Sequence, residues 1–457
     1  MVWALKYDVL DKIIEADFLS TGFWDVSEKN RSSQQRFHEN EEDAMVWGNL
    51  RVNGKRLRAS LEGMAKIGAT PVGGVQRLAL SDEDKKARGL FIKWLHEIGL
   101  EVMIDEMGNI FGKRAGKSPD LSPVMSGSHI DSQPKGGRFD GILGVMGALE
   151  VVRTLNDHGI ETERPITIVD WTNEEGSRFS PAMAGSGVWT GKLDRDWVYG
   201  RADIGGKTVG QELERIGYRG KLVAKQWPVH AYYEYHIEQG PVLEREGKLI
   251  GVPEGIVCIH WYDIYVEGTA NQVGPTPMEG RNDALCAAAE MILKVNELPV
   301  KVGGNMVSTV GEIHNLPNSR NIIPGRVHFT VDIRSWDDEL AIRAWEDVKV
   351  DFGTIAGRRG CSLRIEETWR VGHTPFDERL MERVEAIAEQ LGYSIHPMVS
   401  GAGHDASYLS QVAPTAMIFV PSVGGRSHVE VENTTWEDCE AGANVLLHCI
   451  LQSASET

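Results

Sequence analysis

Residues 123–131 read PVMSGSHID and residues 165–176 read PITIVDWTNEEG, with GILGVMGALEVVRTL at 141–155 between them. The first and last stretches hold short apolar runs without alternation, the pattern of strands buried on both faces, and the middle one is a long apolar helix. Strand, helix, strand in that order predicts a parallel sheet covered on both sides. Polar residues that end such strands stand where α/β folds build their sites. Here they are His129, Asp131, Glu174 and Glu175.

Towards the N-terminus, LRASLEGMAKIG (57–68) and EDKKARGLFIKWLHEIG (83–99) have helical spacing, the second stopping at Gly99. Residues 1–48 differ, with dense mixed charge in SEKNRSSQQRFHENEEDA (27–44), and read as an acidic extension packed on a surface or a partner subunit. Towards the C-terminus the style changes over 252–372. There WYDIYVEG, NDALCAAAEMILKVNEL, NMVSTVGEI, RVHFTVDIR, DELAIRAWEDVKVDFGTIAG and SLRIEETW spell βαββαβ, an inserted second domain. The helices FDERLMERVEAIAEQLG and WEDCEAGANVLLHCILQS and the strand TAMIFVPS then resume the first style. The expected organisation is an extension (1–48), a discontinuous α/β domain (49–251 and 373–457) and the insertion (252–372).

A formal charge of −18 repels phosphate backbones and anionic lipid, which disfavours nucleic-acid and membrane-surface roles and favours a small-molecule partner. Five cysteines without a CxxC pair give neither a disulfide framework nor a thiolate zinc site, as expected for a reducing cytoplasm. Lys6, Asp8, Asp11 and Lys12 interrupt the apolar run a signal peptide needs, and no apolar stretch approaches the length of a membrane span.

Four clusters carry chemistry. His129 and Asp131 end a strand, and Asp140 follows just before a helix; imidazole and carboxylate are good ligands for first-row metals. Glu174 and Glu175 end the next strand pointing in different directions, so one can ligate a cation while the other takes a proton from the attacking water. His236-Ile-Glu238-Gln239 and Gly403-His404-Asp405 with Ser427-His428 complete the set. Singly, such residues also serve as turn caps or solvated loops; together His129, Asp140, Glu175, His236 and His428 supply enough ligands for two divalent ions sharing one carboxylate. Histidine and carboxylate without thiolate suit Zn2+, Mn2+, Co2+ or Ni2+.

Eight ordered blocks, GSHIDSQPKGGRFDGILGV, WTNEEGSRF, HIEQGPVLE, GPTPMEGRNDAL, SRNIIPG, VDIR, SGAGHDA and SHVE, run from residue 127 to 430. They resemble the metal-dependent amidohydrolases that include β-ureidopropionase, N-carbamoyl-L-amino-acid hydrolase and allantoate amidohydrolase. The resemblance implies an α/β, di-metal, exopeptidase-like catalytic domain on a mostly parallel central sheet. It also implies an inserted βαββαβ, ferredoxin-like lid and a homodimer formed through that lid. Carried over by position, His129 and His236 hold one ion, Glu175 and His428 the other, and Asp140 bridges. Glu174 is then the general base and acid, with Asp131 behind His129. Asn321 and Arg334 bind the substrate carboxylate, and Gln239 and His404 line the pocket. A guanidinium suits that role because its planar fork matches a carboxylate. The implied reaction is hydrolysis of the linear amide of an N-carbamoyl (ureido) amino acid to amino acid, CO2 and ammonia.

One block departs from the pattern. Where relatives carry a lid histidine that reaches an active site, often the partner subunit's, Asn271-Gln272-Val273-Gly274 puts Gln272. An amide still donates a hydrogen bond to an oxygen gaining charge, but without a positive charge. Three readings follow: a slower hydrolase, a changed substrate, or a binding protein that keeps the pocket without the chemistry. Allantoate hydrolysis and aminoacylase or dipeptidase action remain open on the same ligand set.

Overall fold

The computed structural model describes residues 47–457, so nearly all of the N-terminal segment 1–48 lies outside the described residues. In chain order the first strands are β1 (Glu101–Ile104), β2 (Ile110–Arg114), β3 (Val124–His129), β4 (Ile166–Trp171), β5 (Ala231–Ile237) and β6 (Ile250–Ile256). Next come β7 (Cys258–Glu267), β8 (Asn271–Gln272), β9 (Val307–Thr309), β10 (Ile313–Leu316), β11 (Ile322–Ile323), β12 (Arg326–Ser335) and β13 (Ser362–Val371). The last are β14 (Thr374–Pro375), β15 (Ile395–Ser400) and β16 (Thr415–Val420).

The nine-stranded sheet runs β1-β2-β4-β3-β5-β16-β6-β14, with β15 also on β6. At its centre β4, β3, β5 and β16 are parallel; β1, β2, β6 and β14 join antiparallel on the flanks, while β15 runs parallel to β6. Every residue of β3, β4, β5 and β16 is buried, as expected for strands covered on both faces. Helices Ile142–Asp157 and Trp436–Ala454, which are apolar nearly all round and pack on each other, cover one face, and the apolar cluster of Met125, Trp171, Trp189 and Tyr232 fills the other.

A buried ion cluster anchors the sheet beneath the site. Helix Asp82–Glu97 starts at Ser81, whose hydroxyl accepts the Asp84 amide. One turn on, Arg88 donates to Asp84 at 2.9 Å and lies 3.6 Å from Asp170 of β4, all three side chains fully buried. Removing the guanidinium would leave two buried carboxylates without a counter-charge, a loss of about 3–5 kcal/mol.

The second sheet has the order β10-β12-β7-β13, with β9 also on β12. All its pairs are antiparallel, the order of a split βαββαβ unit. The strand period of two divides its residues cleanly. Tyr262, Ile264, Val266, Val327, Phe329, Val331 and Ile333 pack under helices Ala284–Val302 and Asp338–Arg359. Trp261, Asp263, Thr330, Asp332 and Arg334 lie on the other face and line a cavity. The chain passes from the first sheet to the second through Val257 and returns from β13 to β14, which pairs back onto β6. Among the described residues no helix is long and apolar enough to cross a membrane.

Candidate active site

The cavity of about 590 Å³ lies between the C-terminal ends of β3, β4 and β5 and the open face of the second sheet. His129 is the last residue of β3. Its Nδ1 bonds the main-chain oxygen of Asp131 at 2.9 Å, which turns Nε2 into the cavity. His236, in β5, is held the same way by the carbonyl of Ile237 at 2.9 Å. Its Nε2 accepts the Gly141 amide at 3.0 Å. Gly141 has φ +66, and a Cβ there would come within 2.2 Å of the His129 ring. Only glycine combines that backbone with that approach.

Asp140 precedes this glycine and faces both ways. Its Oδ1 is 3.2 Å from His236 Nε2 and 3.9 Å from His129 Nε2, while its Oδ2 is 3.1 Å from His428 Nε2. His428 Nε2 is in turn 3.5 Å from Glu175 Oε2. Two donor groups result, His129–Asp140–His236 and Asp140–Glu175–His428, with the ligand atoms of each within 4.8 Å of one another and Asp140 in both.

The strand-end turn that presents the glutamates has a specific device. Asn173 adopts φ +55 and its amide group donates to the carbonyls of Phe179 and Pro181. This turn directs the amides of Glu174 and Glu175 at the two oxygens of Asp131, at 3.2 and 3.3 Å. The Asp131 carboxylate is 3.9 Å from His129 Nδ1, so the imidazole tautomer is set by the Asp131 carbonyl, and the carboxylate instead fixes the glutamate loop. Glu174 Oε2 stands 3.3 Å from His129 Nε2, beside the first donor group.

The electrostatics follow from burying several acids together. Burial pushes Glu175 up to about 8 even against His428, and holds Glu174 well above the carboxylate range with Asp405 and Glu175 adding to the rise. Burial also lifts Asp131 to about 7. Asp140 goes the other way: burial raises it, but the hydrogen bonds from His236 and His428 outweigh this and hold it well below the ordinary value. For His428, burial is overcome by Glu175 and Asp140, which lift it to about 10. Such a cluster of acids and imidazoles fits a pair of divalent cations, whose charge offsets that of the carboxylates.

The remaining expected residues divide. Gln239, at φ +60, donates to Asp140 Oδ2 at 3.0 Å and to Ser427 Oγ at 3.2 Å, so it braces the carboxylate shared by the two donor groups. His404 is buried against His236 at 4.5 Å between ring centres, is held neutral by burial, and lines the cavity. Arg334 also lines it, with its fork on Asp332 at 2.8 Å and on the Gly401 carbonyl at 2.9 Å. Gln272 and Asn321 are exposed and not among the lining residues; β8 and β11 pair there, with Gln272 opposite Ile322.

Two contributors were missed by the sequence reading. Glu432, buried, accepts the amides of Phe139 and Asp140 at 3.1 and 3.0 Å and the Ser427 hydroxyl at 2.9 Å. Gln133 donates to Glu175 at 2.7 Å. Gln133 lies inside the first motif block, four residues after His129, whereas Glu432, four residues after His428, falls outside the blocks and had no such signal.

The fold and site define an amide-bond hydrolase built on an α/β sheet with paired histidine–carboxylate groups. Residues 125–452 match peptidase family M20/M25/M40, and the chain belongs to that family. It is 45% identical over 406 residues to an N-carbamoyl-L-amino-acid amidohydrolase of Rhizobium meliloti, covering 89% of this chain and 98% of that protein. An allantoate amidohydrolase of Bacillus subtilis is 34% identical, covering 86% of this chain and 96% of that protein. Among solved structures, an amidase of the hydantoinase/carbamoylase family from Burkholderia vietnamiensis superposes with a TM-score of 0.88 at 50% identity, covering 89% of this chain and 99% of that one.

Proposed function

We propose that this protein hydrolyses the linear amide of N-carbamoyl (ureido) amino acids, releasing amino acid, CO2 and ammonia. The observation that carries the reading is the pair of donor groups sharing Asp140, with Glu174 beside them in one cavity that also holds Arg334. Relatives named for ureido substrates support the choice of acyl group.

His129 and His236 would hold one divalent ion, Glu175 and His428 the other, and Asp140 both. When bound, such a pair supplies positive charge that polarises a carbonyl and lowers the pKa of water. Glu174, fixed through its amide on Asp131, takes the proton of the attacking water and returns it to the departing nitrogen. Arg334 holds the carboxylate of the substrate, exchanging Asp332 for it, and Asn321 joins it when the second sheet moves over the first. That sheet hangs on two adjacent crossings at Val257 and between β13 and β14, a geometry suited to a lid that excludes water. Dimerisation through the lid would bring the Gln272 segment of one copy to the site of another.

The test is product release: ammonia from N-carbamoyl-β-alanine, a set of N-carbamoyl-L-amino acids, allantoate and ureidoglycolate, and free amino acid from the N-carbamoyl acids, N-acetyl amino acids and dipeptides. Chelated protein and protein reloaded with Mn2+, Co2+, Zn2+ or Ni2+ are compared. Metal-dependent release from N-carbamoyl acids is expected; preference for acetyl or peptidyl substrates would overturn the reading. Binding without turnover, unchanged in Gln272→His, would mark a binding protein.

A further inference from the structure

The wall beside the donor groups has a chemistry that the ureido group and the carboxylate of a substrate do not use. Met183, Ile259 and Trp369 are buried in one apolar cluster, with Trp261 packed against it, and all four line the cavity. They are tied to the reacting end and to the carboxylate anchor. The Met183 amide donates to the Glu174 carbonyl at 2.7 Å. Across the β7–β12 pair Ile259 lies opposite Arg334, and Trp261 opposite Asp332. In a ligand with its carboxylate on Arg334 and its carbamoyl group by Glu174, the Cα substituent would meet Ile259 and Trp261, the residues opposite Arg334 and Asp332.

The aromatic part of this wall is rigid. Trp261 and Trp369 are paired across β7 and β13, their rings edge to face with centres 4.9 Å apart. Trp369 Nε1 donates to the Tyr408 hydroxyl at 3.0 Å. Of the acids on this wall, Asp263 makes no demand for a cationic side chain, being paired with His328 at 2.5 Å and with the Thr368 hydroxyl.

We infer that Met183, Ile259, Trp261 and Trp369 form a side-chain subsite for ureido acids with a large apolar or aromatic substituent; this rests on the ureido-acid reading proposed above. Burying such a substituent against preformed apolar walls is worth about 10- to 100-fold in affinity or kcat/KM.

The full chain, reloaded with metal, is assayed for turnover and, by calorimetry, for binding of N-carbamoyl-L-phenylalanine, N-carbamoylglycine and N-carbamoyl-L-arginine. The phenylalanine derivative is expected to lead the glycine derivative by at least about tenfold, and Trp261→Ala to cut that ratio about tenfold. Because Trp261 is only partly buried, that variant should fold; Trp369→Phe, which keeps the packing, is a second one, expected to lower the ratio less. Equal or better use of the glycine or arginine derivative, or a ratio unchanged in Trp261→Ala, overturns the subsite. If no ureido acid is turned over, the proposed reaction fails, while the three dissociation constants still decide the side-chain preference. Absence of binding by all three overturns both.

Discussion

Glu432 accepts the backbone amide of Asp140 at 3.0 Å, although 292 residues separate them. The same carboxylate takes the amide of Phe139 and the hydroxyl of Ser427, so one buried acid joins the loop of Asp140 to the loop of His428. Partners behind metal ligands typically matter 10- to 100-fold in metal affinity. Glu432→Ala should lose metal at about 10- to 100-fold lower chelator concentration, and Glu432→Gln, which keeps one acceptor, should lose it less readily than the alanine variant. Retention equal to the native chain in both would show that the two loops hold their positions without this acid.

Glu174 is beside His129 but outside both donor groups, which predicts a proton carrier more than a ligand. Glu174→Gln should lower kcat by about 10²- to 10⁴-fold with bound metal and KM little changed. Metal analysis of the purified variant separates the roles: loss of metal together with activity would make Glu174 a ligand.

The site was legible in the sequence where apolar runs stop. His129, Glu174 and Glu175 stand at strand ends because β3 and β4 are buried throughout, and the same continuity announced the parallel centre of the sheet. Arg334 came from the resemblance of the VDIR block alone, and the period-two burial of β12 in the structure puts it on the open face of the second sheet. Glu432 left no such trace, since its partners are amides of a distant loop and no periodicity encodes them. Asp131 was legible as a residue and not in its role, because its choice between an imidazole and two amides depends on the left-handed turn at Asn173.

Glu212 gives a pH-dependent stability term near the site. Arg178, three residues after Glu175, donates to Glu212 at 2.7 Å, and Arg215 donates to it at 2.8 Å. Burial opposes ionisation there, but the two guanidiniums outweigh it and bring Glu212 down to about 2 from an ordinary 4.5. A depressed carboxylate contributes stability that is fully present above its unfolded pKa and is lost as pH falls through the folded one. The difference in urea midpoint between the native chain and Glu212→Gln should therefore be constant above about pH 5 and shrink from pH 4.5 towards 2. A constant difference across that window would mean that the pairs with Arg178 and Arg215 do not shift the carboxyl.

Gln272 tests both the proposed chemistry and the proposed assembly. It is exposed on β8, is not a lining residue of its own chain's cavity, and its carbonyl accepts the Thr276 hydroxyl at 2.6 Å. If this segment serves the oxygen that gains charge, Gln272→His should raise kcat by up to about 10²-fold with little change in KM, since one such donor is worth about 10²- to 10³-fold. Mixing distinguishes which site it serves. A chain carrying both Glu174→Gln and Gln272→His is slowed at its own site by the loss at position 174, measured on that chain alone, yet in a mixed dimer it would offer a histidine to a native site. Activity of the mixture above that of the native chain by itself would show donation across subunits. A gain by Gln272→His that mixing cannot reproduce would place the lid over its own site, and no gain in either arrangement would remove position 272 from the chemistry.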